Sequence, residues 1–134
     1  MKKEDLLVLW KGIDWEKHDS GIYFLGQCRN KEVNIYFTGY CEQDLLLLSD
    51  DLMSRLYRDL EQLDKKTQRV IHDNCSNEAI SELELTELIF DKSGSYGEFT
   101  LGYDAGASPA GSLYLLVKFD KQFQADKEVI YEIY

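Results

Sequence analysis

SDDLMSRLYRDLEQL, residues 49–63, places leucine at Leu52, Leu56, Leu60 and Leu63. Apolar residues every three to four positions form one stripe along an α-helix. Ser49 has the side chain of an N-cap, and Asp50 and Asp51 complement the positive end of the helix. A second helix is predicted over residues 65–74, with Val70 and Ile71 inward, Asp64 as its cap and residues 74–77 as its stop. Residues 45–48 read as a turn or strand end before the first helix.

On both sides of this helical segment the period changes to two. Ile22, Phe24 and Cys28 alternate with Tyr23, Leu25 and Gln27, and Val33, Ile35 and Phe37 alternate with Asn34, Tyr36 and Thr38. The polar residues 29–32 between the runs predict a β-hairpin. Its buried face is Val33, Ile35 and Phe37, because the opposite face carries Asn34 and Thr38. Beyond the helices, Leu83, Leu85 and Ile89 mark one strand, and Phe99, Leu101 and Tyr103 a second. A third holds Leu113, Leu115, Val117 and Phe119, with Tyr114 and Leu116 apolar on its other side, which predicts a central position in the sheet. Residues 129–134 form a last strand. Residues 91–95 and 104–111 are the loops. Residues 3–10 fit a helix or a strand. Hairpin, helices and meander in that order predict one α+β domain over residues 1–134, an antiparallel sheet packed on helices.

The chain has 134 residues, enough to bury a core without metal or disulfide staples. Its 15 lysines and arginines against 25 aspartates and glutamates leave a formal charge of −10. Such a field repels free nucleic acid and attracts a basic partner. Acidity that serves solubility alone is the plain alternative. Cys28, Cys41 and Cys75 are odd in number and form no C-x-x-C pair, so a reduced compartment is expected. The apolar run Leu6 to Trp10 is too short for a signal core or a membrane span, which points to the cytoplasm.

No catalytic, cofactor or metal motif stands out. His72 beside Asp73 reads first as a solvated helix pair, and His18 falls in a polar turn region. The cysteines read as small hydrophobes. Gly94-Ser95-Tyr96-Gly97 lacks the G-x-S-x-G pattern of a nucleophile elbow. The glycine-rich residues 102–111 lack a G-K-[ST] ending and read as a hairpin loop. Asp50, Asp51, Glu82, Glu84 and Asp104 follow no metal-loop spacing. Between Cys41 and Asp64, however, seven acids face two bases, Arg55 and Arg58. Either they form an acidic patch that a basic protein can read, or they are a solvated face with ion pairs such as Asp51 with Arg55.

The runs EFTLGYDAG (residues 98–106) and GSLYLLVKFD (residues 111–120), with the helical segment from Leu52 to Ile71, resemble small acidic immunity proteins of bacterial polymorphic-toxin and contact-dependent inhibition systems. The resemblance implies a non-enzymatic cytoplasmic antitoxin. Its partner would be a cognate toxin with a basic active-site surface, a nuclease being one such toxin, and neither nucleic acid nor membrane. The protein itself would be a monomer or weak homodimer. Partner-binding residues are expected among Glu42, Asp44, Asp50 and Asp51 on the helical segment, and Tyr103 and Asp104 at the glycine-rich loop. The rival reading is a small hydrolase or metal-dependent enzyme around His72 and scattered carboxylates. A third is self-association through the edge of the last strand.

Overall fold

The structure, a computed structural model, describes residues 16–18, 21–28, 31–41, 43–44, 47–74, 83–109 and 111–133. The undecided segment 3–10 lies outside them. Strands β1 (Glu16–His18), β2 (Gly21–Cys28) and β3 (Lys31–Thr38) come first. Helix α1 (Asp50–Asn74) follows, then β4 (Leu85–Asp91), β5 (Phe99–Ser108), β6 (Gly111–Phe119) and β7 (Ile130–Ile133). The seven strands form one sheet in sequence order. The fold is α+β, with the helix packed on one face of the sheet.

The sheet is mixed rather than antiparallel. Neighbours pair antiparallel except β3 and β4, which run parallel, with Ile35 opposite Leu88 and Phe37 opposite Phe90. A parallel pair needs a long crossover, and α1 supplies it. The hairpin and the meander therefore share one sheet. Its middle strand is β4. The expected central strand, β6, lies second from the edge. Leu115, Leu116 and Val117 are nevertheless buried on both faces of β6. Leu116 is covered because it sits across from Gly102, where a Cβ would come within 2.7 Å of its Cδ2.

The two expected helices are one. No glycine or proline interrupts residues 50–74, so nothing breaks the backbone ladder. Asp64 is therefore a mid-helix residue and not a cap. Ser49 does cap, its Oγ accepting the Leu52 N–H at 3.2 Å. At the far end Asn74 donates to the carbonyls of Val70 and Lys127, both at 2.8 Å, and ties the last turn to the loop before β7. The buried stripe is Met53, Leu56, Leu60, Leu63, Thr67 and Ile71. Leu52 is only partly buried against the core. Thr67 buries its hydroxyl by donating to the Leu63 carbonyl at 2.8 Å.

That stripe meets Val33, Ile35 and Phe37, then Leu88, Phe90, Phe99, Leu101, Leu115, Val117 and Phe119. Phe37 stacks on Phe90 across the parallel pair at 4.8 Å, and Phe99 stacks on Phe119 at 4.9 Å. Phe123 closes the end of the core with φ at 59°, held by hydrogen bonds around Asp120. Arg55 lies 4.0 Å over its ring. This arginine pairs with Asp59 at 3.8 Å, not with Asp51 as its spacing suggested.

Tyr103, expected at a partner surface, is fully buried. Its hydroxyl donates to the Asp64 carboxylate and lies 3.3 Å from the Asp64 carbonyl. Burial, then the Asp64 charge, push this phenol far above its ordinary value. Gln68 still donates to Asp64 at 3.1 Å, so the carboxylate keeps a partner if the tyrosine is lost. Tyr103→Phe should therefore lower stability by about 1.5–3 kcal/mol, the range for a hydrogen bond to a charged group, measured by urea denaturation.

The glycine-rich segment is mostly strand. β5 runs to Ser108 and β6 starts at Gly111, with a register shift between Asp104 and Gly106. Gly106 at φ 101° relieves that shift. The turn at residues 91–95 is as expected, with Asp91 Oδ1 accepting from Ser93 N–H at 2.9 Å. Edge strand β7 leaves Tyr131 and Ile133 exposed. Among the described residues, no helix is long and apolar enough to cross a membrane.

Candidate functional site on the open face of the sheet

The helix covers one side of the sheet, and strand alternation sends a second set of side chains to the other. Register places Tyr36, Thr38, Glu87, Ile89, Asp91, Thr100, Gly102, Leu116, Lys118, Ile130 and Glu132 on that side. Tyr114 pairs with Glu132 and with Asp104 and joins them. Tyr96 leans in from the turn before β5. Together Tyr36, Thr38, Glu87, Ile89, Asp91, Tyr96 and Tyr114 line a groove of about 560 Å³.

Glu87 lies at the floor of this groove with 5% of its surface exposed. Among the described residues no hydrogen bond or ion pair reaches its carboxyl. Burial, then the charges of Glu132 and Asp104, push its carboxyl up to about 7. Gly102 makes this packing possible, since a Cβ there would stand 3.1 Å from the Glu87 Cβ. Around the floor, the Tyr96 hydroxyl donates to Glu132 and is pushed up to about 12, chiefly by that bond. Tyr114 is raised by burial, then by Asp104 and Glu87. Lys118, on the same face, pairs with Asp126 at 3.8 Å. The described part of this face is therefore strongly anionic.

The residues expected at the site are scattered. Asp44 is engaged by Cys41 and by Lys92 from the turn after β4. It accepts the Cys41 N–H at 2.9 Å and the Lys92 ammonium at 3.0 Å, which hold its carboxyl down to about 2. Asp51 is exposed on α1, Asp50 opens that helix, and Glu42 lies outside the described residues. Asp104 alone reaches the groove's surroundings; it is exposed and accepts the Gly106 N–H at 2.8 Å. His18 ends β1 instead of lying in a turn. His72 is exposed in the last turn of α1, beside a shallow depression of about 590 Å³ shared with Glu61, Asp64, Lys65, Gln68 and Arg69. Among the described residues no serine, threonine or cysteine lines that depression. Glu84 and Asp73 are exposed, Glu82 is outside the described residues, and Cys41 is an exposed free thiol. Among the described residues no group of three or more potential ligands is placed to hold a metal ion.

One signal for the groove stood in the sequence. In LTELIF, residues 85–90, Glu87 is the one charge among four apolar residues and Thr86. A lone charge in such a run is costly unless something uses it.

Chemically, the groove offers one buried carboxyl, three phenol rings and further carboxylates at its rim. A carboxyl that titrates near neutrality can donate a proton or accept a cation. Protein-family models, curated proteins and solved structures show no match to this chain.

Proposed function

We propose that this chain is a non-enzymatic, cytoplasmic binding protein of the immunity or antitoxin kind, which neutralises a toxin domain by covering its basic active-site surface. The open sheet face carries the contact, not the helix. The observation behind this reading is the anionic groove itself. Glu87, Asp91, Asp104 and Glu132 share one face with three tyrosines, and its one described lysine is already paired. A tyrosine-rich centre ringed by charge has the chemistry of a protein-binding hot spot. Charge of one sign steers a basic partner onto it. The likeness of the strand-loop-strand segment to acidic immunity proteins points the same way.

Acid catalysis by Glu87 is the second reading, favoured by its raised proton affinity. Among the described residues no histidine, cysteine or lysine lines the groove to act with it.

The test is capture of a partner by the tagged chain from its native host, followed by affinity measurement. A basic toxin domain should bind, and its activity should be inhibited. Asp104→Lys should weaken that complex on the order of tenfold, about 1.4 kcal/mol, while Asp51→Lys on the helix changes it little. Association should slow as salt rises. Failure to recover a basic protein, or sensitivity to Asp51 with indifference to Asp104, counts against the proposal.

A further inference from the structure

We infer that the open-face groove takes the side chain of an arginine presented by a partner protein, with Glu87 as counter-ion and the rings of Tyr36, Tyr96 and Tyr114 as its walls. The inference rests on the proposed protein-binding role and names the chemistry that the site selects.

Glu87 carries the argument. It is a carboxyl with 95% of its surface covered, and it meets no donor among the described residues. A buried acceptor without a partner is costly, so a ligand that supplies donors there gains what the free protein lacks. The groove of about 560 Å³ is open enough to admit a side chain together with its flanking backbone. An anion is excluded by Asp91, Asp104 and Glu132 around it. An apolar side chain would leave the carboxyl unpaired.

Among cations, guanidinium fits best. It is weakly hydrated, offers a planar fork of donors to one carboxylate, and stacks on aromatic faces. Lysine is a strongly hydrated point charge and would have to shed more water to reach the floor. The groups that face Glu87 from the surrounding elements agree with this. They are Tyr36 on β3, Asp91 on β4, Asp104 on β5, Tyr114 and Lys118 on β6, Glu132 on β7 and Tyr96 in the turn. Among the described residues only Lys118 is cationic there, and Asp126 holds it.

The ligand competes with the proton on Glu87. Binding should therefore strengthen as pH rises through the range where that carboxyl ionises. The probe is the blocked peptide acetyl-Gly-Arg-Gly-amide, titrated into the labelled full chain and followed by amide chemical shifts. Acetyl-Gly-citrulline-Gly-amide is the neutral isostere and acetyl-Gly-Lys-Gly-amide the alternative cation.

Saturable shifts should centre on Ile89, Gly102 and Tyr114. The arginine peptide should bind about tenfold more tightly near pH 8 than near pH 6. Glu87→Gln should abolish that pH dependence and weaken binding at least about tenfold. Asp51→Asn should leave it unchanged. Equal binding of the citrulline peptide, preference for lysine, unaltered binding by Glu87→Gln, or shifts confined to α1 would each overturn the inference. The two proposals fail separately. A toxin domain that binds Glu87→Gln as tightly as the parent overturns this one and keeps the antitoxin reading. Arginine-peptide binding without any recoverable basic partner does the reverse.

Discussion

Glu87→Gln is expected to make the protein more stable at alkaline pH and to leave its stability unchanged in acid. The carboxyl is held at about 7 in the folded chain, against an ordinary 4.5. Below the ordinary value both folded and unfolded chains hold the proton, and Glu87 contributes nothing to pH dependence. As pH rises from there, the unfolded chain releases its proton while the folded chain keeps it, so stability falls. Above pH 7 the full penalty is present, on the order of 3 kcal/mol. Glutamine keeps the shape and cannot ionise. The variant should gain about 2–3 kcal/mol near pH 8, roughly 8 °C in melting temperature for a domain of this size. Thermal unfolding of parent and variant at about pH 4 and about pH 8 cancels every other titrating group. A variant no more stable at the higher pH would mean that Glu87 is solvated and ionised in the folded state. Stability gained together with arginine binding lost is the trade expected of a site kept for function.

The opposite and larger effect belongs to Phe99. It is fully buried, stacked on Phe119 at 4.9 Å and set edge-on to Phe123 at 5.0 Å. Phe99→Ala removes the ring that two others rest on. The cost should be about 3–5 kcal/mol, because transfer energy and residual cavity add. Collapse around the site is limited. Phe119 belongs to β6, paired along the whole of β5, and Phe123 is fixed by hydrogen bonds around Asp120. Phe99→Leu keeps most of the volume and should cost about half as much or less. In urea both variants should shift the midpoint with the slope unchanged. A loss below about 1 kcal/mol for the alanine variant would mean that this end of the core is loosely packed.

Much of the architecture was legible in local patterns. Alternation over Val33, Ile35 and Phe37 named a face that is almost completely buried. Helical spacing at Leu56, Leu60 and Leu63 named the face of α1 that meets the sheet, and Ser49 marked where it starts. Tyr103 was placed correctly in a strand and wrongly at a surface. The same alternation that assigned it to the Phe99 and Leu101 face put it in the core, where Asp64 from the helix accepts from its hydroxyl.

From the sequence alone came the charge of −10, the order of hairpin, helical segment and later strands, and the inward face of most of these elements. These follow from composition and from periods that repeat within one segment. Tertiary structure alone decided that β3 and β4 pair in parallel, which joins hairpin to meander. It decided too that Glu87, Asp104 and Glu132, each on a different strand, share one face of the sheet, where Glu87 lines a groove with Tyr36, Tyr96 and Tyr114. Period tells a strand which side to bury, but not which strand to lie beside. Charges spread over distant segments become a site only when the register of the sheet brings them onto one face.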